Sequence, residues 1–112
     1  MKESPVVHAC LMWFFAHGME PIRNNSGGFT KRYTSKKTGQ TKSHFVKFGK
    51  KGTGDILVCT KTGKWCEVEA KGDGEQTPEQ VERQAHVERM GGIYILARST
   101  DDLVSRKCEI LG

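Results

Sequence analysis

Nowhere in the 112 residues does an apolar run approach the ~20 that a membrane-spanning helix requires. The longest candidate, VVHACLMWFFAHG near the N-terminus, is interrupted by His8 and His17 and has no basic lead, so neither a span nor a signal peptide is expected. Cys10, Cys59, Cys66 and Cys108 form no CxxC pair, which removes zinc-type spacing. Each lies in or beside an apolar stretch, where a reduced, packed thiol is the ordinary expectation. His8, His17, His44 and His86 stand at no ligand spacing and are expected on surfaces or helix faces. Acid is missing altogether from residues 31–51, KRYTSKKTGQTKSHFVKFGKK, although that stretch holds eight of the 18 Lys and Arg. These absences describe an intracellular chain with no place in a membrane.

The charge is therefore lopsided. The net value is +5, the basic stretch supplies +8, and the remaining residues sum to −3. Tyr33, Phe45 and Phe48 are interleaved with the lysines, a composition suited to a polyanion because lysines displace counterions from phosphates and aromatic rings stack on bases. The alternative is a solvated loop followed by a strand whose aromatic residues enter the core. A hydrophobic content of 36% and a charged content of 28% fit a single globular domain over 1–112.

GDILVCTKTGKWCEVEAK, residues 54–71, predicts a strand hairpin. A connection over Thr60 to Lys64 pairs residues whose numbers sum to 124, setting Asp55 opposite Glu69, with Lys71 on the same face by strand alternation. A two-residue loop at Thr62-Gly63 would instead set Asp55 against Ala70 and dissolve the group. In the first register two facing carboxylates repel unless something positive lies between them, which calls for a divalent cation or an exposed, screened location. Glu67 shares the face of Glu69 by parity and is expected to be exposed, since hairpins commonly keep one face in solvent.

Elsewhere, Ser4-Pro5 and the i, i+4 recurrence of Val6, Cys10 and Phe14 together with Val7, Leu11 and Phe15 predict a helix from that cap to about His17, closed by Gly18 and leaving Glu3 just outside. MEPIRNNSGGF predicts a short strand ending in a turn. The segment to Lys42 is expected to be mobile, and SHFVKF to form a strand. Thr77-Pro78-Glu79-Gln80 carries a cap, an N1 proline and the glutamine of a capping box, so a second helix is predicted over 78–90, ending at Met90-Gly91-Gly92. IYILA predicts a buried strand and STDDL a last short helix. The expected fold class is α/β, a mixed central sheet flanked by helices in the order α-β-β-β-α-β-α.

The acid that opens one strand and the Glu-x-Lys that closes the next resemble the PD-(D/E)xK nucleases. Further matches point to the virus-type replication-repair nuclease branch, VRR-NUC, in its stand-alone phage and bacterial form. They are Arg23-Asn24-Asn25-Ser26-Gly27, Gly52-Thr53-Gly54-Asp55, Thr77-Pro78-Glu79-Gln80, and Gly91-Gly92 with Ser99-Thr100-Asp101-Asp102-Leu103. The resemblance implies a restriction-endonuclease-like fold and hydrolysis of DNA phosphodiester bonds. It implies Mg2+ or Mn2+ held by Asp55, Glu69 and the carbonyl of Ala70, with Lys71 orienting the attacking water. Glu3 and Gln80 map onto the family's first-helix acid and second-helix glutamine, although Gln80 also fits the capping box. It further implies a homodimer acting on branched, Holliday-junction-like DNA in replication, repair or recombination, in the cytoplasm of a bacterium or a phage-infected cell. Arg23, Asn25, Lys31, Arg32, Lys36, Lys37 and Lys42 are the candidate DNA contacts. The competing reading is a non-catalytic basic nucleic-acid-binding module in which Asp55 and Glu69 are ordinary strand residues.

Overall fold

The computed structural model describes residues 3–24, 28–47 and 50–112. Helix α1 covers Glu3–Ala16 and is followed by the short strand β1, Ile22–Arg23. Strands β2, Gly28–Thr34, and β3, Thr41–Lys47, precede β4, Ile56–Cys59, and β5, Trp65–Ala70. Helix α2, Pro78–Arg89, leads to β6, Ile93–Ala97, and the chain closes with α3, Asp101–Val104, and α4, Lys107–Leu111. The main sheet has the order β1-β4-β5-β6. Its first two pairings are antiparallel and β5–β6 is parallel, so this is a mixed α/β fold with a mixed central sheet flanked by helices. Among the described residues no helix is long and apolar enough to cross a membrane.

Each face of the sheet has its own chemistry. Ile56 and Val58 of β4, Cys66, Val68 and Ala70 of β5, and Ile93, Ile95 and Ala97 of β6 form an apolar surface. Against it pack Val6, Val7, Cys10 and Phe14 of α1, together with Leu103 of α3 and Ile110 of α4. Burying a side chain of this size contributes roughly 1.5–3 kcal/mol, and the i, i+4 spacing of Val6, Cys10 and Phe14 presents one stripe of α1 to it. The intervening positions of β5, Glu67 and Glu69, face the other way and are equally buried.

Several expectations are met at the helix ends. Gly18 takes the left-handed conformation, φ +80°, that closes α1. Thr77 and Gln80 form both halves of the capping box at the start of α2. Helix α1 begins at Glu3, ahead of the expected Ser4-Pro5 cap, because the helical backbone extends through Ser4.

Three further expectations need correction. The basic segment forms an ordered antiparallel ribbon of β2 and β3, where a mobile loop was expected, since its turn is closed by two backbone hydrogen bonds, Ser35 N–H to Gln40 O and Gly39 N–H to Ser35 O. SHFVKF falls within β3 as expected, and outside the ribbon the elements run α1, β1, β4, β5, α2, β6, α3 and α4. Cys10 and Cys66 are packed, and burial pushes their thiols up to about 11 and about 12 respectively. Cys59 and Cys108, also free, are exposed, because they fall at the end of β4 and on the outer side of α4. Glu67 is fully buried, because β5 is an interior strand whose second face lies under α2.

Candidate metal centre

The register sums to 124: Ile56 pairs with Val68 and Leu57 with Glu67. Asp55 stands one residue before β4 and its Oδ2 accepts the Ala70 N–H at 2.9 Å, tying the acid to the end of β5. A close-packed glycine approach aims it. A Cβ on Gly52, which has φ +89°, would lie 2.4 Å from the carbonyl oxygen of Glu79, and one on Gly54 would lie 2.9 Å from that of Val68. Asn24 fixes the same turn from the edge strand. Its Nδ2 donates to Gly54 O at 3.0 Å and its backbone N–H to Asp55 O at 2.7 Å.

Glu69 is 3% exposed. Its Oε1 accepts Gln80 Nε2 at 2.7 Å and lies 4.0 Å from Lys71 Nζ, while Tyr94 OH donates to Oε2 at 3.4 Å. Gln80 makes two contacts at once. Its Oε1 accepts the Thr77 N–H at 2.8 Å to complete the capping box, leaving Nε2 for Glu69. Lys71, its side chain 13% exposed, follows β5 directly. Its backbone is pinned by its N–H to Ala97 O at 3.0 Å, and Arg98 Nη1 donates to Gly72 O at 2.8 Å.

The two acids are therefore not left to repel each other. Arg23 Nη1 lies 3.6 Å from Asp55 Oδ1, Lys71 stands beside Glu69, and the Ala70 amide lies against Asp55. Arg23 was read from the sequence as a DNA contact. It is first a partner of Asp55, and with its side chain 43% exposed it also faces solvent. Asn25 and Phe48 lie outside the described residues, as does the side chain of Glu3, whose backbone opens α1. Lys31, Arg32, Lys36, Lys37 and Lys42 are exposed on the β2–β3 ribbon.

Sequence reasoning missed two supports of this site. Tyr94 is buried, donates to Gly52 O at 3.3 Å as well as to Glu69, and is pushed up by burial first and by the Glu69 charge second, so its hydroxyl keeps its proton. Its position opposite Glu67 in the parallel pairing puts it on the acidic face, and that face follows from parity once β6 is known to adjoin β5. The second support is Arg83, one helical turn beyond Gln80. Its Nε donates at 3.1 Å to both oxygens of Glu67, which also accepts Trp65 Nε1 at 2.7 Å and the Gly54 N–H at 3.1 Å. Helix α2 thus grips β5 at Glu69 through Gln80 and at Glu67 through Arg83.

Comparison of the chain with protein-family models, with curated proteins and with solved structures finds no match. The chemistry of the site is accordingly read from its own donors. Among the described residues no three of His, Cys, Asp and Glu converge, so what is offered is the carboxylates of Asp55 and Glu69. This all-oxygen set suits a hard cation that keeps much of its water, as Mg2+ does when bound through one or two carboxylates.

Proposed function

We propose that this chain is a divalent-metal-dependent DNA nuclease of the PD-(D/E)xK type, belonging to the VRR-NUC branch. The observation that carries the reading is the convergence of Asp55, Glu69 and Lys71 at the open end of one strand pair, with Gln80 and Tyr94 holding Glu69 in place. Asp55, Glu69 and the Ala70 carbonyl would hold Mg2+ or Mn2+. Such an ion lowers the pKa of water and stabilises charge on a phosphate. Lys71 positions the attacking water and offsets negative charge as it develops on the phosphate, and its near-complete burial beside Glu69 strengthens that effect by lowering the local dielectric. Gln80 and Tyr94, both donors, fix the orientation of the Glu69 carboxylate. Arg23, beside Asp55 and partly exposed, is placed to meet a phosphate once that acid engages a cation.

The resemblance extends this reading to a homodimer acting on branched DNA, which gives a 112-residue chain two active sites and a wider surface for a junction. The second reading is a non-catalytic DNA-binding module. It is favoured by the fact that Arg23 and Lys71 already compensate both acids without a metal.

Calorimetric titration with Mg2+ and Mn2+ separates the two. Wild type is expected to bind and to gain about 2.7 kcal/mol of stability at a hundredfold excess over Kd. Asp55→Asn should lose both effects yet stay folded, since an asparagine oxygen still accepts the Ala70 N–H. Silence of both proteins towards metal would leave the non-catalytic module as the better reading.

A further inference from the structure

We infer that the β2–β3 ribbon is an arm that enters the major groove of duplex DNA, an inference that rests on the proposal that DNA is the substrate and specifies how it is held. The ribbon is anomalous as a piece of protein. Among the described residues its strands pair only with each other, and Lys31 to Thr34 and Thr41 to Phe45 are all exposed, with Tyr33 at 52% and Phe45 at 57%. An isolated two-stranded hairpin is marginally stable in water, so a surface that completes it is expected, and the absence of acid over residues 31–51 defines that surface as an anion.

Its register says more. Lys31 pairs with His44 and Tyr33 with Lys42, so these four share one face. Arg32 pairs with Ser43 and Thr34 with Thr41, and by alternation these share the other face with Phe45. Lys36 and Lys37 occupy the turn. Cations on one face, on the other face and at the tip do not suit a flat acidic surface, which only one face could meet. They suit a cleft with phosphates along both walls. Among the described residues no strand pairs with either edge of the ribbon, so each strand also offers backbone N–H groups sideways towards those walls. The major groove of B-form DNA, about 12 Å wide, admits two strands roughly 4.8 Å apart with their side chains. Arg32, Thr34, Thr41 and Ser43, the face with short polar side chains and one guanidinium, are of the kind that meets base edges, and Phe45 is of the kind that meets a thymine methyl. Lys31, Lys42 and His44 then reach back to phosphates. The groove of A-form RNA is too deep and narrow for this fit.

The test uses the full chain carrying Asp55→Asn, in EDTA, with short duplex DNA preloaded with methyl green in the major groove or netropsin in the minor groove. Displacement of methyl green with netropsin retained is expected, and duplex RNA of the same sequence should bind at least about tenfold more weakly. Replacing Lys31, Arg32, Lys36 and Lys37 with alanine should abolish displacement and reduce the log–log salt slope by roughly 2.7, about 0.9 for each of the three lost lysine–phosphate contacts, Arg32 being assigned to base edges. Its melting temperature should be unchanged, because none of these residues touches the core. Displacement of netropsin alone, equal binding of duplex RNA, preference for single strands or an unchanged salt slope would each overturn the inference, and the dye measurement on the chain with an intact ribbon decides even if the quadruple variant misfolds. The outcome is separable from the nuclease reading. Methyl green displaced while the wild type leaves DNA intact with Mg2+ would sink the nuclease and keep the arm, whereas cleavage without displacement would do the reverse.

Discussion

Lys71→Ala is expected to lower the rate of DNA cleavage by about 10²–10³ while leaving metal and DNA binding close to those of the wild type. Lys71 Nζ stands 4.0 Å from Glu69 Oε1, and the ligand oxygens keep their other partners when it is removed, since Gln80 and Tyr94 still hold Glu69 and the Ala70 amide still holds Asp55. The side chain is 13% exposed, so water cannot replace the ammonium efficiently where charge develops. Single-turnover cleavage measured beside a metal titration gives the split between chemistry and binding. Near-normal turnover by the variant would remove Lys71 from the mechanism.

The largest effect on stability is expected from Arg83→Ala. Glu67 is fully buried, and the variant would strand its charge, which costs about 3–5 kcal/mol. The melting temperature should fall by more than about 10 °C. Glu67→Gln added to Arg83→Ala should recover part of the loss, because the neutral amide carries no buried charge and its one oxygen still accepts from either Trp65 or the Gly54 N–H, whose bonds go to different oxygens of Glu67. Acidity provides a second readout. Burial alone would raise the Glu67 carboxyl, but hydrogen bonds from Arg83, Trp65 and the Gly54 amide, with the Arg83 charge, outweigh it and hold the group below the usual carboxylate range. A depressed folded value contributes stability above the unfolded value of about 4.3, and that stability is lost as the pH falls further. Arg83→Ala removes two of the lowering contributions and leaves the burial effect opposed only by Trp65 and the Gly54 amide, so the variant should lose less stability on acidification than the wild type. Loss of stability by both proteins in parallel would show that the pair does not control Glu67.

How far these features could be read from the sequence depends on how local their causes are. The pairing of Asp55 with the end of β5 follows from a connection set by Thr60 and Lys64, and the Thr60 N–H does close on Lys64 O at 3.0 Å. Gln80 was legible twice because a capping box is a four-residue pattern, and only the docking of α2 onto β5 shows that one amide meets both demands. The burial of Glu67 was not legible. It depends on β6 making β5 an interior strand and on a residue sixteen positions away reaching across. Tyr94 was hidden for the same reason, since nothing within IYILA distinguishes a buried donor from a packing ring. Of the ribbon, β3 was legible in SHFVKF, whereas β2 was missed because GFTKRYT carries no apolar alternation, the usual mark of a strand with a face to bury. Its signal was the pairing of Thr34 with Thr41, whose hydroxyls meet at 3.0 Å across a turn containing Gly39 at φ +70°.

The central claim is that Asp55 and Glu69 bind a metal in order to cut DNA. It is tested most directly by incubating wild type and Asp55→Asn with linear, flapped and four-way DNA, with and without Mg2+, and resolving the products on a denaturing gel. The account predicts cleavage by the wild type with Mg2+, strongest on the branched substrates, and none without the metal or with the variant. Intact DNA in every lane, or cleavage that Asp55→Asn and metal removal leave unchanged, would contradict it.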